Sequence, residues 1–157
     1  MNENDLVGKA VVSMADGAKV GVVNDLIFKG VSLQGLSLKG DKGNGILAFK
    51  NIGTTGPDAI SIESYKNVDW DAGKTLEPDS HNLHDLRKLK VIDDSGTELG
   101  HLHAVTLDNL GNIEEIAVRT EGVFGIGSHQ ALIAGARIRS LGPTLITVEA
   151  DPNRVAT

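Results

Sequence analysis

Asp5-Leu-Val-Gly-Lys-Ala-Val-Val12, continued by Ala15-Asp-Gly-Ala-Lys-Val-Gly21, returns as Asp85-Leu-Arg-Lys-Leu-Lys-Val-Ile92, continued by Asp94-Ser-Gly-Thr-Glu-Leu-Gly100. Each stretch carries an Asp-Leu pair, a short apolar run, a turn containing Gly, and a second Gly four residues on. Gly17 and Gly21 thus match Gly96 and Gly100. The ends match too: Gly56-Pro-Asp-Ala-Ile-Ser-Ile62 answers Gly142-Pro-Thr-Leu-Ile-Thr-Val148. The second copy holds seven more residues between these landmarks, most of them between Val118 and Ile138. A unit of about 75 to 80 residues is too long for a solenoid repeat and long enough for a small domain.

The pattern inside each unit is that of short strands. Period-2 alternation and β-branched residues predict strands at Ala10–Ser13, Val20–Phe28, Leu33–Lys39, Ile46–Phe49 and Ala59–Ile62, then at Leu89–Ile92, Leu99–Leu107, Ile113–Arg119, Gln130–Ile133 and Leu145–Val148. Asp16-Gly17, Ser95-Gly96 and Asn109-Leu-Gly-Asn112 read as hairpin turns. Ala134–Ser140 is expected to hold one short helical turn. Five or six short strands in under 80 residues bury little as an open sheet, and closing them into a barrel removes exposed edges. The expected fold is all-β: two small barrels in tandem, with at most short helical turns. The expected units are 1–64 and 81–151, with a polar linker at 65–80 and a tail at 152–157. Leu83, Leu86 and Leu89 suggest a helical turn leading into the second unit, capped by Ser80.

Composition narrows the function classes. The chain has 157 residues, 40% hydrophobic and 23% charged, which is too apolar for a disordered chain. It has no Cys, which excludes a disulfide scaffold, a Cys-ligated zinc and a thiol nucleophile. No apolar run reaches the roughly 20 residues of a membrane helix, and no basic segment precedes an apolar core as in a secretion signal. A cytoplasmic protein is expected. The formal net charge of −6, with no dense Lys/Arg cluster, argues against nucleic acid as a partner.

Several residues carry the later strands and invite a family comparison. Gly100-His-Leu-His-Ala-Val-Thr-Leu-Asp108, with its lone Asp and following turn, resembles the second strand of a PRC-barrel domain. Gly122-Val-Phe-Gly-Ile-Gly127 resembles the glycine-rich loop before that family's late strand. Gly56–Ile62 and Gly142–Val148 resemble its closing strand. The first unit has the shorter Lys39-Gly-Asp-Lys-Gly-Asn-Gly45 in place of the glycine-rich loop. In the family, these barrels bind other macromolecules without doing chemistry, as in the cytoplasmic domain of the photosynthetic reaction-centre H subunit and the C-terminal domain of the ribosome maturation factor RimM. The resemblance implies a non-enzymatic, protein-binding adaptor or assembly module with no cofactor, able to contact protein partners or a second copy of itself. An accessory role in photosynthetic complexes or in ribosome maturation is the analogy's alternative.

Candidate sites follow. Gly122, Val123, Phe124, Gly125, Ile126 and Gly127 form the first candidate for partner binding, together with edge strands. Phe124 and Ile126 either present an apolar patch or cap the barrel. The loop's G-x-x-G-x-G spacing, followed by a strand, is not a dinucleotide fingerprint. His101 and His103 lie two apart on a strand and share a face. With His129 they are the alternative, a metal- or small-ligand site, although the first unit holds Val22 and Asn24 at the matching places. Asp25, Asp108 and the Glu114-Glu115 pair form no dyad, because adjacent strand residues face opposite ways. No catalytic residue is assigned.

Overall fold

Alternating Val, Leu and Ile on short segments separated by Gly-containing turns leave the backbone one good way to satisfy its polar groups, the antiparallel ladder. In the computed structural model, which describes residues 1–41, 43–71, 77, 79–120 and 129–151, that is what forms. A 3-10 turn at Glu3–Asp5 precedes β1 (Ala10–Ser13), β2 (Ala18–Lys29), β3 (Ser32–Gly40) and β4 (Gly43–Ala48). β5 (Thr54–Thr55), β6 (Ala59–Ile62), β7 (Val68–Asp69) and β8 (Ser80–Asn82) follow. A single helical turn, α1 (Leu83–Leu86), leads into β9 (Lys90–Asp93), β10 (Glu98–Leu107), β11 (Ile113–Thr120), β12 (His129–Ala134), β13 (Ile138–Leu141) and β14 (Leu145–Val148). The chain is all-β, built on two sheets, with only short helical turns. No helix among the described residues is long and apolar enough to cross a membrane.

The first sheet runs β5-β6-β1-β2-β3-β4-β7, with β8 added to β2; the second runs β12-β11-β10-β9-β14-β13. Their pairing schemes agree step by step. Gly21 faces Val11 and Gly100 faces Val91, each beside a register shift. The β2–β3 ladder skips Asn24 and the β10–β11 ladder skips His103. β6 runs parallel to β1, and β14 parallel to β9. The glycines at these matched places are required by sterics: a Cβ on Gly21 would stand 2.8 Å from Lys39 O, and one on Gly100, where φ is +128°, would stand 2.3 Å from Arg119 O.

The two sheets are joined by reciprocal pairing. Asn2 bridges Thr106 on β10, and Asn82 pairs with Ile27 on β2. Each leading segment therefore extends the other sheet. The hairpin tips also meet: Leu33 N–H donates to Gly111 O and Ile113 N–H to Val31 O, both at 2.7 Å, around an isolated Ser32–Asn112 bridge. One continuous apolar cluster results, running from Leu6, Val11 and Leu36 to Val91, Ile116 and Ile146.

Two local expectations change. The segment read as a linker contributes β7, which pairs with β4, and the start of β8. The apolar signal was there in Val68 and Trp70, but two residues are too few to show a period. The turn at Leu83–Leu86 is capped by Asn82, whose side chain accepts from Asp85 N–H at 2.9 Å. Ser80 cannot cap it, because it lies in β8 with its hydroxyl on Gln34. The short helical turn expected within Ala134–Ser140 is present at Gly135–Arg137, and β13 begins at Ile138, where pairing with β14 satisfies the backbone.

Candidate functional site

The polar side chains that sequence singled out are placed by the hairpins, and most are spent locally. Asp108 closes the β10–β11 turn, its Oδ1 accepting from Leu110 N–H and Asn112 N–H at 2.9 Å each. Asp25 Oδ1 accepts from Leu26 N–H at 2.8 Å and from His84 N–H at 3.3 Å, which ties β2 to α1. Asp93, buried at 5% exposure, holds its turn through Ser95 and Thr97. At the matching place in the first sheet stands Ser13, whose hydroxyl donates to Asp16 at 2.5 Å. Asp16 also accepts from Tyr65 N–H, and these contacts, Ser13 first, hold its carboxyl below the ordinary value of 3.8.

The histidines do not converge. His101 and His103 are exposed on β10, His101 opposite Arg119 and His103 in the bulge beside it. The His103 carbonyl accepts from Arg87 Nε at 3.4 Å. His129 stands opposite Thr120 on the far side of β11. Among the described residues no three His, Asp or Glu stand close enough to share a metal. The loop Gly122, Val123, Phe124, Gly125, Ile126 and Gly127 lies outside the described residues.

Two features remain that side-chain chemistry alone does not explain. A cleft of about 600 Å³ opens at the junction of the two sheets, lined by Met1, Lys9, Phe49, Ile52, Pro57 and Asn109. Of the ammonium-bearing residues that line it, Met1, Lys9 and Lys50, Lys9 Nζ is held by Asp5 O and Gly56 O, at 3.2 and 2.9 Å. The second feature is β12, an end strand whose Leu132 is 60% exposed. At the matching place in the first sheet Ile46 is 6% exposed: β7 pairs there and sets Asp69 opposite it, while Trp70 packs on the other face, over Gly40 and Gly45. The sequence pointed to edge strands in general. It did not show that, among the described residues, one of two matched edges is covered and the other is not, because the covering residues read as linker.

Two curled, hairpin-built sheets of short strands, with their polar groups committed to turns, define a small β-barrel module. Residues 78–153 match the PRC-barrel domain family, so the second half of the chain contains a PRC-barrel domain. No curated protein matches the sequence.

Proposed function

We propose that the chain is a non-enzymatic protein-binding module made of two PRC-type barrels, the first half being a second copy of the domain matched at residues 78–153. The observation that carries the tandem reading is the agreement of the two sheets: the same strand order through β1 to β6 and β9 to β14, the same bulges at Asn24 and His103, and the same glycine approach at Gly21 and Gly100. The binding reading draws on the family, whose barrels are interaction modules, and on a surface whose polar residues are occupied in turns and caps. Reciprocal pairing fixes the two barrels to each other, so a partner meets two related surfaces at once, and simultaneous engagement raises avidity without new contacts.

The test is affinity capture of the tagged full chain from its native cells, with mass spectrometry of the retained proteins. One stoichiometric partner is the expected result. Recovery of the bait alone, with catalysis or ligand turnover in the purified protein, would replace this reading with an enzymatic or small-ligand one.

A further inference from the structure

A sheet edge left open offers unpaired N–H and C=O groups, and proteins blunt such edges by keeping them short or charged. The described ends of the two sheets obey this rule with one exception. β5 and β7 are two residues long, and β7 carries Asp69; β13 carries Arg139, which lies 4.0 Å from Asp94. β12 is six residues long, His129-Gln-Ala-Leu-Ile-Ala134, with no Asp, Glu, Lys, Arg or Pro. Among the described residues it pairs only with β11.

The chain itself shows what such an edge accepts. On β4, matched to β12, an antiparallel strand puts Val68 opposite Leu47 and Asp69 opposite Ile46. Trp70 then occupies the space beside Gly45, where a Cβ would meet its ring at 2.7 Å. On β12 the residue matched to Gly45 is Ala131, and on β11 the residue matched to Gly40 is Thr120, by the pairings that align the two ladders. Those side chains fill the indole's place. The open edge therefore takes an extended strand and has no room for a large aromatic where Trp70 sits on β4.

Resting on the protein-binding reading above, we infer that the occupant is β12 of a second copy of this chain, paired antiparallel about Leu132. β12 is extended, carries no formal charge and has no large aromatic at its centre, so it fits that edge. Pairing about Leu132 sets Leu132 against Leu132, Ala131 against Ile133 and Gln130 against Ala134, with no like charges opposed even though the chain carries a net charge of −6. The interface is isologous, so each contact occurs twice.

The chain contains no Cys, which gives a direct test. Leu132→Cys in the full chain, under mild oxidation, is expected to give a disulfide-linked dimer rapidly. Leu110→Cys, on the 77%-exposed hairpin residue, is not. Sedimentation of the unmodified chain is expected to show a concentration-dependent dimer, and Leu132→Lys to raise its dissociation constant at least about tenfold. Hydrogen exchange is expected to slow at residues 129–134 as concentration rises.

A dimer that survives Leu132→Lys unchanged would overturn the assignment of the edge. A chain that stays monomeric, with no selective cross-link at 132, would overturn the second-copy occupant while leaving the protein-binding reading to affinity capture. Protection of residues 129–134 that is independent of concentration would place a segment of the same chain on the edge and overturn the proposal in that way. Leu132 is exposed, so its variants are expected to keep the parent melting behaviour, and that is measured alongside.

Discussion

Met1 and Leu107 exchange two backbone hydrogen bonds across 106 residues of chain: the Met1 ammonium donates to Leu107 O at 3.1 Å, and Leu107 N–H donates to Met1 O at 2.6 Å. In the other direction His81 pairs with Phe28. Neither sheet is complete without residues from the other half. Thermal and urea unfolding of the full chain are accordingly expected to be single transitions, coincident by far-UV circular dichroism and Trp70 fluorescence. Two separated transitions would show that the halves fold independently.

Glu3 is buried at 7% exposure and paired with Arg87, which is half-exposed. Where the halves correspond, the matching positions hold Leu83 and Val7. Arg87→Ala leaves a buried carboxylate without its cation and is expected to cost about 2–3 kcal/mol. Adding Glu3→Leu removes the stranded charge and is expected to recover most of that loss. Urea midpoints of the single and double variants give the answer; a double variant no better than Arg87→Ala alone would rule this out.

Gly100 and Gly96 separate close approach from turn strain. Both have positive φ, but a Cβ on Gly96 meets nothing within 4 Å, whereas one on Gly100 meets the Arg119 carbonyl at 2.3 Å. Gly96→Ala is expected to cost about 1–2 kcal/mol. Gly100→Ala is expected to cost roughly 3 kcal/mol or more, because two backbone strands must part. Equal losses would place the whole effect in φ.

Asp16 sets an acid limb. Its carboxyl is held below 3.8 by the Ser13 hydroxyl, the Tyr65 N–H and Lys66. A depressed folded value means that the contribution is fully present above the ordinary value and is lost as pH falls through the lower, folded one. Asp16→Asn is expected to lower the urea midpoint by a constant amount above about pH 5, and the gap to the parent to close below about pH 4. A gap that is constant at all pH values would mean that the hydrogen-bond geometry, and not the charge, stabilises this corner.

Trp70 covers β4. Its ring rests over Gly40 and Gly45, and its indole N–H finds no partner among the described residues. Trp70→Phe keeps the ring and drops an unsatisfied donor, so it is expected to be nearly neutral. Trp70→Ala is expected to cost about 2–3 kcal/mol and to speed exchange of the β4 amides.

The repeated landmarks made most of this architecture readable. Val91 and Val11 each anchor a run that any register slip would turn toward solvent, so their strands were bounded within two residues. The β10–β11 turn was readable because Asp108 caps it locally and Gly111 supplies its positive φ. What the sequence hid was non-local. Val68 and Asp69 earn their place only by lying on β4, and Ser80–Asn82 only by lying on β2; segments of two or three residues have no period of their own. The site was less legible than the fold for the same reason. His101 and His103 were conspicuous by type and turned out to lie apart from His129, while Leu132 is unremarkable by type and stands out only because Ile46 is covered.

The reciprocal joint has an evolutionary consequence. In a symmetric assembly of single barrels, every substitution falls on both sides of the axis at once. With two barrels on one polypeptide that constraint lapses, and each side drifts alone. Ion-paired Glu3 and Arg87 stand where the other side keeps Leu83 and Val7, and β4, paired with β7, stands where β12 pairs, among the described residues, with β11 alone. On one polypeptide each margin can therefore carry its own chemistry.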